Sequence, residues 1–72
     1  MLEIYSASWC VHCNKLKSFL KNKGIEFNDI DIDEEIDKAM YLVERGLKTI
    51  PQVFTKDGEH IGGCENTIVK FS

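Results

Sequence analysis

The sequence predicts an α/β domain in the order βαβαββ(α): a four-stranded mixed sheet flanked by helices, with a short final helix. Three observations carry that prediction. Two apolar strand segments, residues 2–5 and 25–32, bracket a run with helical spacing, the pattern of a parallel βαβ unit. A second helical run follows over residues 36–43. Beyond it, the only proline opens a short apolar segment that an Asp-Gly pair joins to a partner, a strong hairpin signal. With 72 residues the chain makes one domain at most, spanning 1–72. A domain of that size buries only about 60% of the surface its unfolded chain exposes, so its core is marginal.

Each element has a local justification. Leu2, Ile4 and Tyr5, with Glu3 between them, form the first strand. From Val11 to Lys23 the spacing of Leu16, Phe19 and Leu20 gives an apolar helical stripe, with the lysines mostly off it. Gly24 ends that helix as a C-cap, and Lys21 and Lys23 suit the negative end of its dipole. Ile25, Phe27, Ile30 and Ile32 make the second strand, whose alternation slips near Asn28-Asp29, so a bulge is expected there. Asp33 is the expected N-cap of the next helix, with Glu34 and Glu35 in its first turn. Ile36, Ala39, Met40 and Val43 then repeat at i, i+3, i+4 and i+7, the buried stripe of an amphipathic helix that Gly46 stops. Gln52-Val53-Phe54 is the third strand, Lys56-Asp57-Gly58-Glu59 the turn, and His60-Ile61 the fourth strand. Gly62-Gly63 ends it, and Ile68, Val69 and Phe71 mark a stub of a last helix.

Composition narrows the function. Hydrophobic residues make up 43% and charged residues 29%, ordinary for a soluble globular domain and too apolar for a disordered one. No apolar run approaches the length of a membrane span. The start, Met1-Leu2-Glu3-Ile4-Tyr5, lacks the basic and apolar regions of a secretory signal, which fits a mature chain already processed or a cytoplasmic protein, and a cytoplasmic setting is expected. A net charge of −3 has the wrong sign for a general nucleic-acid binder, and a monomer is expected. The charge is uneven: residues 1–25 sum to +3, residues 26–44 to −7 and residues 45–72 to +1. Solvated helix faces account for that asymmetry.

The three cysteines point to reactivity. Stapled mini-proteins usually have an even count. A Cys10–Cys13 bridge closes so short a loop that it contributes only about 2 kcal/mol, against about 4 kcal/mol for either one bridged to Cys64. The close pair is a poor staple but a good redox pair. Cys10-Val11-His12-Cys13 stands where a strand hands over to a helix. There the free N–H groups and positive dipole end of the helix face the first sulfur and favour the thiolate, which is the nucleophile. Cys13, one helical turn on, can reach Cys10 and resolve a mixed disulfide. Such a C-x-x-C beside a βαβ pattern is a thioredoxin-like redox motif. His12 lies between them, where an imidazole would favour the thiolate and make the disulfide more oxidising; an exposed histidine without an electrostatic role is the competing reading.

Metal chemistry is the rival. Cys10-x2-Cys13 and His60-x3-Cys64 have zinc-ligand spacings, making a small zinc module the alternative of another class. The 46 residues between the pairs are too many for a compact finger. Asp29, Asp31 and Asp33 match the first spacings of an EF-hand, but Glu34 stands in place of the glycine and Met40 in place of the bidentate glutamate, so calcium is not expected.

Two further segments bear on a ligand. In Thr49-Ile50-Pro51 the proline belongs at a strand start, and a cis bond there would shape a turn at whose edge the backbone of Ile50 pairs with an extended peptide; an ordinary trans proline is the simpler reading. Gly62-Gly63-Cys64-Glu65-Asn66 is a glycine turn opening a helix, whose N–H groups suit a carboxylate while Glu65 suits an ammonium. A plain turn with a buried Cys64 is the alternative.

Taken together, Tyr5, Cys10-x-x-Cys13, Gly24, Thr49-Ile50-Pro51-Gln52-Val53-Phe54 and His60-Ile61-Gly62-Gly63-Cys64 resemble the short dithiol glutaredoxins of bacteria and phages, over almost the whole chain. The resemblance implies a thioredoxin fold, a cis-Pro51, and glutathione as co-substrate with no bound cofactor. It makes Cys10 the nucleophile and Cys13 the resolving thiol. It has Thr49 and Ile50 pair with the glutathione backbone beside Pro51, and Gly63, Cys64 and Glu65 hold the γ-glutamyl end. Disulfide-containing proteins become substrates, ribonucleotide reductase among them by analogy. The departures are specific. Val11-His12 replaces the usual Pro-Tyr. Ala7 stands where a lysine commonly binds the glycine carboxylate of glutathione, leaving Lys48 or Arg45 to help. Trp9 is similar to thioredoxins, and Val11 to the glutaredoxin-like donors served by thioredoxin reductase. A donor of that kind is the same-class alternative, and an inert adaptor of the same fold is a third.

Overall fold

The computed structural model describes residues 1–72. Its elements are β1 (Leu2–Ser6), α1 (Val11–Asn22), β2 (Phe27–Asp31), α2 (Ile36–Glu44), β3 (Gln52–Phe54), β4 (His60–Gly62) and α3 (Cys64–Phe71). The sheet order is β2-β1-β3-β4. Strand β1 pairs parallel with β2 and antiparallel with β3, which pairs antiparallel with β4. This is the mixed four-stranded sheet of the thioredoxin fold.

Strand parity divides the core. Leu2 and Ile4 of β1, with Val53 of β3, pack against Leu16 and Leu20 of α1. Phe71 and Ile68 of α3 close that side. Tyr5, Ile30 and Phe54 point to the other face and meet Leu42 of α2. Both α1 and α2 end on a glycine with positive φ, Gly24 at +72° and Gly46 at +75°, as the punctuation required. The turn at Lys56-Asp57-Gly58 closes with Gly58 N–H donating to Thr55 O and Gly58 at φ +92°.

Three local expectations need correction. The slip near Asn28-Asp29 is not a bulge: β1 and β2 pair in unbroken register from Leu2–Phe27 to Ser6–Asp31. Asp29 occupies an α1-facing slot, where it accepts from Ser6 Oγ and Lys17 Nζ, so a polar residue interrupts the apolar pattern while the backbone stays regular. The register shift occurs instead between β3 and β4, where Ile61 is the extra residue between the Phe54–His60 and Val53–Gly62 pairs. Asp33 does not cap α2. The N-cap is Glu35 without a side-chain bond, and the Asp33 carboxylate accepts from Trp9 Nε1 at 2.7 Å.

The third correction concerns the face of α2. Ile36, Met40 and Val43 are solvent-exposed, at 70, 53 and 69%. Leu42 is the buried anchor, seated among Tyr5, Ile30 and Phe54. The helix is turned by about a quarter from the stripe that spacing suggests. The sheet face beneath is built from aromatic rings: Tyr5, Tyr41 and Phe54 lie with centroids 5.3–5.9 Å apart. Arg45 stacks over Tyr41 and Phe54 and donates to Tyr41 Oη, fixing the rotation.

Candidate active site

Cys10 is the N-cap of α1. It has extended backbone angles, and its Sγ accepts from the backbone N–H of Cys13 at 3.3 Å. The sequence thus sets its first sulfur where an N-cap oxygen would ordinarily sit, receiving an otherwise orphan helix N–H. An anionic sulfur there meets a donor and the positive end of the helix. Cys10 is 7% exposed and Cys13 fully buried, packed with Ala7 and bordered by Ile32 and Ile50. All three cysteines are free thiols. Burial, reinforced by the hydrogen bond with Cys10, pushes the Cys13 thiol up to about 12. Cys13 is therefore a proton-bearing thiol at neutral pH, and Cys10 is the sulfur on the accessible side. Cys64 is half-buried and raised as well, by desolvation first.

Opposite Cys10 stands the loop before β3. The Ile50–Pro51 peptide bond is cis. The Cys10 thiol points to Ile50 O at 3.9 Å. Neither Thr49 nor Ile50 gives its backbone N–H to a partner within the chain, so both are left for an incoming group. The third wall is the start of α3. Gly63 is its N-cap, without a side-chain bond, so first-turn N–H groups are also uncommitted there.

These walls enclose one cleft of about 310 Å³, lined by His12, Thr49, Ile50, Pro51, Gly63, Cys64, Glu65 and Asn66. Segments some forty residues apart in sequence meet there. Of the two cations offered in place of a lysine at Ala7, Lys48 is exposed and outside the lining, and Arg45 is held on the aromatic cluster of the opposite face. His12 is the only basic side chain in the lining. Asn66, which the sequence places in the glycine turn without a role of its own, is a lining residue. The signal was its place in the first turn of α3, two residues beyond Cys64. A larger hollow of about 710 Å³ lies between α1 and β2, lined by Lys17, Lys21, Phe27 and Asp29, and contains no cysteine. The smaller one is selected because Ile50 in its lining faces the Cys10 thiol at 3.9 Å; Cys10 stands beside the cleft, not in its lining.

The four residues with zinc-ligand spacing do not gather. No group of three or more His, Cys, Asp or Glu side chains is placed to hold a metal ion, and the His60 ring is bonded to Gln52. The three aspartates of the calcium-like spacing are dispersed too: Asp29 bonds Ser6 and Lys17, Asp31 accepts from the Asp33 N–H, and Asp33 accepts from Trp9. No helix is long and apolar enough to cross a membrane.

A family model described as glutaredoxin matches residues 2–61. The chain belongs to the glutaredoxin family. Thiol–disulfide oxidoreductase chemistry goes with that membership. Glutaredoxin 3 of Escherichia coli is 38% identical over 66 residues, 90% of this chain and 78% of the relative. A buckwheat glutaredoxin, solved in complex with glutathione, superposes with a TM-score of 0.80 at 33% identity, over 96% of this chain and 66% of that one. The glutaredoxin-like NrdH-redoxin of E. coli, whose activity profile is described as thioredoxin-like, superposes at 0.83 with 26% identity, over 96% of this chain and 90% of that one.

Proposed function

We propose that this glutaredoxin reduces glutathione mixed disulfides and protein disulfides at the expense of glutathione, through Cys10 and Cys13, in a cytoplasmic setting. The observation that carries the reading is the cleft beside Cys10, with its unpaired Thr49 and Ile50 amides on one wall and the open start of α3 on another. An extended peptide can pair with the first, a carboxylate with the second, and Glu65 with an ammonium. A γ-linked peptide carries all three features.

The chemistry follows from the two sulfurs. The Cys10 thiolate attacks the glutathione sulfur of a mixed disulfide; the old S–S bond breaks and the substrate leaves as a thiolate. A second glutathione thiolate then attacks the glutathionyl sulfur on Cys10, releasing glutathione disulfide. With a protein disulfide, Cys10 bonds one substrate sulfur and releases the other as a thiolate; Cys13 then gives up its proton, attacks Cys10 Sγ and displaces the substrate sulfur bonded to it. Two glutathiones reduce the resulting Cys10–Cys13 bond. Burial and the hydrogen bond with Cys10 keep Cys13 protonated in the reduced pair, which leaves the first attack to Cys10.

A second reading has one observation in its favour. Trp9 is 68% exposed yet pinned by Asp33, and Val11 is exposed beside the nucleophile. That apolar rim suits a protein surface, as for a donor reduced by thioredoxin reductase. The test is turnover of a glutathionylated peptide with glutathione, glutathione reductase and NADPH, against parallel reactions with thioredoxin reductase and no glutathione. Glutathione-dependent turnover supports the first reading; turnover with thioredoxin reductase alone replaces it by the second. Cys13→Ser should retain activity on the mixed disulfide, and Cys10→Ser should lose it.

A further inference from the structure

Gln52 is buried at the start of β3, directly after the cis proline, yet its side chain serves the loop rather than the sheet. Its Nε2 donates to Thr49 O at 3.0 Å and to Thr49 Oγ1 at 3.2 Å. Its Oε1 pairs with His60 Nε2 at 2.7 Å. Both amide hydrogens and the amide oxygen are thus engaged. Turning the amide over would set oxygen against the Thr49 carbonyl, so the network fixes its orientation, and His60 must carry its proton on Nε2. The His60 ring is held in turn by Phe54, at 4.8 Å between centroids.

The geometry points to a clasp: Gln52, locked by His60, is a positioning residue that fixes Thr49 so that the free N–H groups of Thr49 and Ile50 line the cleft. The clasp takes the acceptor groups of Thr49 and leaves its N–H uncommitted. A fixed donor costs an incoming peptide less ordering than a mobile one, so the effect falls on binding rather than on sulfur chemistry. The assignment of the ligand rests on the glutathione reading; the clasp itself does not.

The test uses the full reduced chain with Gln52→Glu, which is isosteric, keeps an acceptor for His60 and removes both donors to Thr49. The second variant is His60→Phe at an exposed position, which keeps the stack on Phe54 and removes only the lock on the amide. Backbone ¹⁵N relaxation should show the Thr49 amide falling from an order parameter of about 0.85 to below about 0.6 in Gln52→Glu, with a smaller drop in His60→Phe. KM for a glutathionylated peptide should rise about fivefold in Gln52→Glu and about twofold in His60→Phe, with kcat within about twofold. Reduction of dithiobis-nitrobenzoate, an aromatic disulfide without glutathione, should keep its rate. An unchanged Thr49 order parameter in both variants overturns the clasp, as does parallel loss on both substrates. If the parent protein does not turn over the glutathionylated peptide but Thr49 still loosens in Gln52→Glu, the clasp stands and the glutathione reading falls.

Discussion

The proton on Cys13 has a consequence for stability that can be measured without any substrate. Burial first, and the hydrogen bond with Cys10 second, raise this thiol from an ordinary value of 9.0 to about 12. A raised folded-state pKa means that the unfolded chain loses the proton first as pH rises. Below pH 9 both states hold it and nothing is lost. Between pH 9 and 12 the unfolded state gains from ionising while the folded state does not, so stability falls. At pH 10 the loss from this one residue is between about 1 and 2 kcal/mol. The perturbation is Cys13→Ser, which keeps a small polar group that does not titrate in this range. Other groups, including Tyr5 and Cys64 with their raised values, titrate alike in both proteins and cancel in the difference. The assay is urea unfolding followed by far-ultraviolet circular dichroism, at pH 7 and pH 10, with a phosphine reductant. The parent should lose more stability over that interval than the variant, by the stated amount. Parallel losses would show that Cys13 ionises in the folded state as easily as in the unfolded one, and the argument that it waits, protonated, for a sulfur to attack would fail with it.

Other outcomes follow from the same structure. Partial desolvation raises the pKa of Asp29, whose side chain is still 43% exposed, but the bonds from Ser6 and Lys17 outweigh that and hold it below 3.8. Its contribution is present above the unfolded pKa and is lost as pH falls through the folded value. Asp29→Asn should therefore cost about 1 kcal/mol at neutral pH, and the gap to the parent should close in urea titrations below about pH 4. Gly62 has φ +128°, and a Cβ there would lie 2.3 Å from Asn66 Nδ2 and 2.9 Å from Asn66 Cβ, whereas Gly58, at φ +92°, has open space around it. Gly62→Ala should cost more than Gly58→Ala by about 1–3 kcal/mol in thermal unfolding, and it alone should raise KM, because Asn66 lines the cleft. Since Lys48 stands outside the cleft and His12 inside, Lys48→Ala should leave KM for a glutathionylated peptide within about twofold, while His12→Ala should raise it several-fold. Equal effects of the two would show that His12's place in the lining does not bear on ligand binding.

Strand and helix order was legible because punctuation and periodicity agree. Gly24 and Gly46 stop helices for the backbone reason that glycine permits, and the Asp57-Gly58 pair turns the hairpin. The sulfur geometry was legible too, since a C-x-x-C at a strand-to-helix junction leaves Cys10 little choice but to cap α1. The cis bond at Pro51 was not legible from local chemistry, only from the resemblance. What misled were residues whose role is decided across the sheet. Asp29 resembled a break in a strand because its partners, Ser6 and Lys17, lie on other elements. Ile36, Met40 and Val43 resembled a core stripe because spacing cannot see that Leu42 and Arg45 fit the aromatic face beneath α2 better. Gln52 fits a strand by pattern, and its bonds to Thr49 and His60 are ones that no spacing announces.

The sheet order explains why a few distant motifs suffice for a site in so small a chain. Strand β1 is central and delivers Cys10 from its C-terminal end. Strand β3 lies beside it and runs the opposite way, so its beginning, with Thr49, Ile50 and Pro51, arrives at that same end. Strand β4 turns back against β3 and finishes there as well, which sets Gly63 and the first turn of α3 beside Pro51. One helix start, one strand start and a second helix start therefore converge at a single edge. These are the places where backbone donors are not consumed by secondary structure. The cleft needs few specialised side chains because the fold brings unspent N–H groups to the sheet edge where Cys10 sits. On the proposed reading, specificity then rests on the side chains that remain: His12 where a tyrosine is usual, Glu65 and Asn66 on the α3 wall, and, outside the lining, the exposed Trp9 and Val11.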